Sequence, residues 1–442
     1  MADGGPHGQA PGRSRSRGAR ALRLAGSVVV VAVVIVAAGV AMAVHVGLLG
    51  GAGSGSGPAP TGGSVPTAAA AGGWQTVDLP TGFSATGISC VSADDCWLIG
   101  ANHDRNASPA VWRYSGGAWT SVAIAGVGSG ALEGLTCVSA DDCWAVGQHI
   151  TVPQTGASDA VVKPLIEHDA GAGFSPVTGP PAPGDADSLS SVTCAKADDC
   201  WAGGNYAANS ENGGDGIEHP LLEHYDGSAW TLSALAPPVI DYAGLDGTAC
   251  LGPDECWASV GTADGGVVEE FDGASWTVVS APQLAPSPGF SQSGVGRVTC
   301  IVADDCWAVG STGAPTVPNL PTQPLIAHYT GAGWVTVSSP HVSGPNGATL
   351  AGVACLSASD CWAVGATMPE AIALPAELST PSPDPALFPQ PVIEHYDGSA
   401  WTVLATPQSG TDDTGLADIT CAPATGACFA AGMSALWILT GA

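Results

Sequence analysis

Fourteen cysteines fall into seven close pairs: Cys90/Cys96, Cys137/Cys143, Cys194/Cys200, Cys250/Cys256, Cys300/Cys306, Cys355/Cys361 and Cys421/Cys428. No other feature constrains the fold as tightly. Five residues separate the partners in the first six pairs and six in the last, and an aromatic always follows the second cysteine: Trp97, Trp144, Trp201, Trp257, Trp307, Trp362, then Phe429. A pattern recurring every 47 to 66 residues requires seven copies of one supersecondary unit. Each copy reads as four short strands. The first ends at the first cysteine (GRVTC), an acidic turn follows (IVADD), and the second opens at the second cysteine (CWAVG). After a variable loop comes a third strand (PLIAHY), then a Gly-containing turn and a fourth that starts with an aromatic (WVTVSS). Period-2 runs between turn signals mean an all-β protein, and the Asp-Gly steps are hairpin signals. The expected architecture is a seven-bladed β-propeller of four-stranded antiparallel blades over residues 74–442. The seventh copy has no fourth strand of its own, and Trp74-Gln75-Thr76-Val77 matches the missing motif. Residues 74–79 are therefore expected to complete the last blade and leave no open edge.

The order CWAVG followed by EHYDGSAW resembles kelch-type repeats, and the Cys-Trp pattern resembles repeats of exported propeller proteins from high-GC, actinobacterial-type bacteria. The resemblance covers about 74–442 and departs from kelch in having one glycine where kelch repeats have two, and in its added cysteines. It implies a propeller. It does not imply an activity, because propellers host both enzymes and binding platforms.

Charge divides the 442-residue chain in two. Arg13, Arg15, Arg17, Arg20 and Arg23 stand against one acid, Asp3, in the basic tail 1–25; from Trp74 onward 38 acids face five basic residues, a balance of −33. With −29 overall, binding to nucleic acid through a basic patch is excluded. Between the two regions, 26–47 contains a 19-residue apolar run, Gly26 to Val44, of the length a transmembrane helix needs. The positive-inside rule puts the arginines in the cytoplasm and the body outside. Ala41-Met42-Ala43 also fits a cleavage site, which would make the protein secreted, but the run is longer than a usual signal core and favours a single-pass signal anchor in the cell membrane. Residues 48–73, almost wholly Gly, Ala, Ser, Pro and Thr, read as a flexible tether with a root-mean-square reach of roughly 25 to 30 Å.

In an exported chain the paired cysteines read as seven disulfides, each clipping the first strand of a blade to the second. The repeated tryptophans read as packing between blades, since Phe174 and Phe429 substitute for them. Glu167-His168, Glu223-His224 and Glu394-His395 occupy one equivalent place in separate copies and cannot converge on an ion, so no metal site is assigned. The acidic turns (Asp94-Asp95, Asp141-Asp142, Asp198-Asp199, Asp254-Glu255, Asp304-Asp305) and the hairpins at Asp226, Asp272 and Asp397 should share one rim, where calcium is the one candidate cofactor. Binding is expected on the opposite rim of variable loops (148–159, 204–218, 311–323, 366–390), with Trp112, Arg105 and Arg297 as candidate contacts and Trp437 as a further surface aromatic. The expected function is a membrane-tethered extracellular binding or scaffold module for a glycan, a cell-wall component or a protein. The alternative is a propeller-type glycan-cleaving enzyme. No catalytic residue is assigned: the body has only Arg105, Arg113 and Arg297 for a sialidase-like arginine triad, and no cysteine is left over for a copper-radical site. Among the acids, no particular carboxylate pair stands out for glycoside hydrolysis.

Overall fold

The structure, a computed structural model, describes residues 73–439 except for connecting loops (104–106, 126–127, 152–160, 208–217, 237–243, 280–292, 313–320, 369–388, 407–414 and shorter gaps), together with 35–37 and 40–42. Of the apolar run 26–47, only Ile35–Ala37 and Val40–Met42 are described, and they pair as an antiparallel hairpin. Val and Ile, branched at Cβ, accept an extended backbone readily. The rest of the expected span, and the tether, lie outside the described residues. No described helix is long and apolar enough to cross a membrane.

From residue 73 the described chain is all β. Copies one and four to six each form a separate sheet of four antiparallel strands. In copy four, for example, these are Gly244–Gly252, Glu255–Thr262, Gly265–Phe271 and Trp276–Val279. Copies two and three form ladders of the same kind that one parallel pair, Val162 with Ala186, joins into an eight-stranded sheet. In the last sheet, Leu416–Ala422, Ala427–Gly432 and Ala435–Leu439 are completed by Trp74–Asp78, which pairs antiparallel with Ala435–Leu439. First strands of successive copies pack side by side in order, and the first strand of copy seven packs on that of copy one, which closes a ring.

Two local devices shape every unit. The cysteines sit directly opposite one another in the first hairpin, with Cα atoms 4.0 to 4.1 Å apart, and all seven disulfides are formed. A few residues earlier each first strand carries a bulge, as between Leu189 and Ser191 or Val295 and Arg297. A bulge leaves one residue unpaired and bends the strand. Here it brings the first strand so close to the second that a side chain on Gly100, Gly147, Gly204, Gly310 or Gly365 would collide with a backbone carbonyl such as that of Ser84 or Gly294. That contact is why six of the seven second strands carry glycine four residues after their cysteine; copy four has Val260 there.

The bridges clip the first strand to the second as the sequence suggests, and they also pack between sheets. The second cysteine of each pair, Cys96, Cys143, Cys200, Cys256, Cys306, Cys361 and Cys428, is 0% exposed. Each belongs to a core cluster with the second-strand aromatic of the preceding copy. Cys96 lies with Phe429, Cys143 with Trp97, Cys200 with Trp144 and Cys256 with Trp201. Cys306 lies with Trp257, Cys361 with Trp307 and Cys428 with Trp362. The reason is strand alternation: cysteine and aromatic are consecutive, so one faces the sheet before and the other the sheet after. These sulfurs are therefore interior packing groups, closed to any ligand.

The core lies between neighbouring sheets. Tryptophans at the start of second strands meet the fourth-strand aromatic of the next copy edge to face: Trp97 with Phe174 at 5.5 Å, Trp144 with Trp230 at 5.3 Å, Trp307 with Trp401 at 5.2 Å and Trp362 with Trp74 at 5.4 Å. Such pairs add about 0.5 to 1.5 kcal/mol beyond the area they bury. Phe429 takes the tryptophan's place in copy seven and shares a buried cluster with Phe83 and Leu98 of copy one, so a second-strand aromatic also fills the joint that closes the ring.

Candidate functional site

Most of the repeated polar residues are consumed by the fold. The third-strand histidines lie flat on the second-strand tryptophans, Trp144 over His168 at 3.9 Å and Trp307 over His328 at 3.9 Å. The outer ring nitrogen of each reaches the second acid of the cysteine turn: His168 to Asp142 at 2.9 Å, His224 to Asp199 at 2.8 Å, His328 to Asp305 at 2.7 Å and His395 to Asp360 at 2.9 Å. In copy one Arg113 fills this place. Its guanidinium lies 4.6 Å from the Trp97 ring centre and donates twice to Asp95, at 3.0 and 2.9 Å, which raises its pKa further. Copy four breaks the pattern with Glu270 facing Glu255; burial first, then Glu255, Asp272 and Asp304, push the Glu270 carboxyl up.

The glutamates beside the histidines point the opposite way, into the gap between sheets, as strand alternation requires. Glu167, Glu223, Glu269 and Glu394 are all buried. Glu269 accepts the Ala236 N–H at 2.8 Å and Glu394 accepts the Ser339 hydroxyl at 2.9 Å, so each ties down the chain leaving the preceding sheet. Neither carboxylate oxygen of Glu167 or Glu223 has a hydrogen-bond partner among the described residues. Burial raises Glu167, Glu223 and Glu394 to about 7. The histidines and glutamates of different copies are not brought together.

The hairpin aspartates cap their own turns. Asp226 Oδ1 accepts the N–H groups of Ser228 and Ala229 at 2.9 and 3.0 Å, and Asp397 does the same for Ser399 and Ala400. The Ser228 and Ser399 hydroxyls, which donate to the same oxygens at 2.6 Å, together with these backbone bonds lower both carboxyls to about 2. Gly227 and Gly398 follow in the left-handed region at φ 87°, which the turn demands. Among the described residues no three His, Cys, Asp or Glu side chains come together as metal ligands.

Against the sequence expectation, Arg297 does not lie on the loop rim. It sits in the first strand of copy five, beside the bulge, where first strands line the ring axis. Its Nη1 donates to the carbonyls of Ser190, in copy three, and Asp246, in copy four, both at 3.4 Å. Glu133, Asp246 and Asp418, from the first strands of copies two, four and seven, all feel its charge. Burial pushes Glu133 up to about 7, opposed by the Gln148 amide, which donates to it at 2.9 Å, and by Arg297. Asp246 also rises to about 7, through burial, with Arg297 pulling down and Glu218 pushing up. Asp418 rises by burial, opposed by Arg297 and by the N–H groups of Ile88 and Ile419 that it accepts at 3.1 and 2.9 Å. One guanidinium thus partly offsets the charge of carboxyls from three sheets and ties its own strand to the first strands of copies three and four.

A signal for this cluster was present in the repeat. Three residues before the first cysteine stand Gly87, Gly134, Ser191, Gly247 and Gly352, but Arg297 and Asp418 in copies five and seven; one residue earlier stand Thr86, Glu133, Ser190, Asp246, Gly296, Ala351 and Ala417. A Cβ at Gly352 would lie 3.0 Å from the Ile419 nitrogen of the next copy, so small residues are the rule there and the charged exceptions mark a site. Replacing Arg297 with Met should cost about 2 kcal/mol at pH 7, because carboxyls from three sheets lose the cation they share. The loss should shrink at pH 5, where Glu133 and Asp246 are protonated; urea unfolding at both pH values checks this.

Two other candidates need correction or placement. Trp437 is 1% exposed and packs with Trp74 and Trp362 in the core, so it is no surface contact; its neighbours in the sheet place it at the interior-facing register, where other copies carry glutamate. Trp112 occupies that same register in copy one, but it is only half-buried, 6.2 Å from Phe83, and lines a groove with Asn102, Ser108, Pro109, Ser121 and Ile124. Arg105 and most of the variable loops lie outside the described residues.

No protein-family model matches the chain, and no curated protein matches it. Solved structures do. YCF48 bound to a D1 peptide is similar over 86% of this chain and 98% of its own, with 13% identity and a TM-score of 0.50. YCF48 from Cyanidioschyzon merolae (14% identity, 84% of this chain and 99% of that one, TM-score 0.49) and the WD40 propeller domain of Doa1 (9%, 84% and 98%, 0.49) are also similar. At such identities the likeness speaks for architecture alone: the chain folds as a β-propeller of four-stranded antiparallel sheets.

Proposed function

We propose that this is a seven-bladed propeller carried on the outer face of a membrane, where it acts as a protein-binding or scaffold module. The apolar run 26–47 serves as the anchor, the arginine tail stays inside, and 48–73 tethers the ring. One observation carries the binding role. The chemistry-bearing side chains that repeat are spent inside the ring on stacks, caps and ties, and the copies diverge at the axis and in the connecting loops of one rim. A rigid scaffold with divergent loops is the usual form of a recognition platform. The YCF48 structure, which holds a D1 peptide, is a precedent for a propeller of this shape taking a protein ligand.

Photo-crosslinking with the full chain in its membrane tests the reading. A crosslinker at Thr151 or Thr367, where second strands run into the variable loops, should trap one protein partner. The same group at Ser228 or Ala274, on the hairpin rim, should not. Equal trapping on both rims, or soluble sugar released from isolated cell walls by the purified chain, overturns it, the latter in favour of a glycan-cleaving enzyme.

A further inference from the structure

We infer that the groove at Trp112 is a subsite for an uncharged sugar ring, a pyranose unit of an extracellular polysaccharide. The inference takes from the proposed function only that the ring lies outside the cell; it does not depend on the protein ligand or on the tether.

The groove exists because copy one departs from the repeat. Where copies two, three, four and six bury a glutamate opposite a second-strand alanine, copy one sets Trp112 opposite Leu98. Leu98 is fully buried, and Trp112 is left half-buried beside a groove lined by residues of copy one alone. Phe83 holds the indole from within, with ring planes 55° apart, and the indole stays half-exposed. The same groove is lined by neutral polar groups: the Asn102 amide, which donates to the Ser108 hydroxyl at 3.3 Å, and the exposed Ser121 on the outermost strand. Asn102 N–H donates to the Ser108 carbonyl at 2.8 Å, and the intervening Ala107, at φ 45°, is the one non-glycine residue in the left-handed region among those described. Holding a non-glycine residue there costs of order 1 kcal/mol, so the turn is kept against its own preference.

Charge selects the class of ligand. The molecule carries −29, yet none of the residues lining this groove is charged. A cationic peptide would find its complement at the acidic rims, and an anionic sugar would be repelled by the molecule as a whole. A half-exposed aromatic beside amide and hydroxyl groups suits a neutral ligand with one apolar face and a fringe of hydroxyls, since the indole covers the face and the polar groups meet the edge.

Saturation-transfer NMR and tryptophan fluorescence on the full chain test this, with the protein held in a zwitterionic detergent because glycoside detergents would compete. The probes are chitotetraose, cellotetraose, maltotetraose and mannotetraose. At least one should bind with a Kd near 1 mM or tighter. Trp112→Leu and Asn102→Leu should each weaken it about tenfold or more without moving the melting temperature by more than a few degrees, while Thr231→Ala in copy three should change nothing. Should Trp112→Leu fold poorly, Asn102→Leu carries the test. The inference is overturned when no probe binds below about 10 mM, or when binding survives unchanged in a folded Trp112 or Asn102 variant.

Discussion

Reduction of the disulfides is expected to unfold the ring at physiological temperature. Each bridge closes a loop of seven or eight residues, for which the chain-entropy estimate is roughly 2 to 2.5 kcal/mol. Seven of them amount to something on the order of 15 kcal/mol, as much as the whole stability of an ordinary domain. The fully buried partners, Cys96, Cys143, Cys200, Cys256, Cys306, Cys361 and Cys428, are themselves core residues between sheets. Loss of a bridge therefore loosens both the first hairpin and the joint to the preceding sheet. Melting followed by tryptophan fluorescence, with and without reductant and with free thiols counted, measures the effect. A shift of only a few degrees with all fourteen thiols free would show that packing between sheets suffices alone. Replacing a single pair by serine should cost much less, because six bridges still hold their hairpins.

Stability should also fall as the solution is made more alkaline across the neutral range. Glu167, Glu223 and Glu394 have folded pKa values of about 7 against an ordinary 4.5. The folded state binds more protons than the unfolded one between those values. Their protonation therefore favours folding below about pH 4.5, and that benefit is lost progressively up to about pH 7 and absent above it. For a fully buried carboxyl such a shift corresponds to roughly 3 kcal/mol. The hairpin aspartates work in the other direction. Asp226 and Asp397, lowered to about 2 by the turn hydrogen bonds they accept, stabilise the fold above their unfolded values near 3.8, and that support fades as pH drops toward 2. The melting temperature should accordingly peak near pH 4 to 5 and be several degrees lower at pH 8. Glu223→Gln should raise the melting temperature at pH 8 and flatten the profile, since it removes a carboxyl whose oxygens have no partner and which Asp187 repels. A profile flat from pH 5 to 8 would show that the carboxyls are hydrated in solution.

The architecture was legible because its determinants are local and repeated. Cysteine spacing, Asp-Gly hairpins and glycine-ended second strands each report a short-range geometry, and seven copies of the same message leave little room for another fold. The disulfides followed from the paired cysteine spacing in an exported chain, and the packing role of the tryptophans from their replacement by phenylalanine at equivalent places. The roles of single residues were less accessible. Arg297 looked like a loop-rim cation because it is one of five basic residues in the body, yet a bulge and the ring geometry carry it to the axis. Trp437 looked exposed because it lies outside the aromatic motifs, yet it shares a register with Trp112 and the buried glutamates and ends in the core. The histidines and glutamates share one equivalent place in separate copies, which separates them as metal ligands but does not give their roles; in the structure the histidines are stacked and paired, Glu269 and Glu394 are buried ties, and Glu167 and Glu223 are buried with no hydrogen-bond partner among the described residues.

The repeating unit is thus written in the chain itself: its strands, turns, bridges and the face on which each aromatic lies all follow from neighbours within about ten residues. Other features depend on the assembled ring. These are the residues that meet across the axis, the contact of each buried cysteine with the sheet before it, and the pairing of Trp74–Asp78 with Ala435–Leu439. Such contacts join positions tens to hundreds of residues apart, and they form only once the ring closes and every first strand is brought to a common axis.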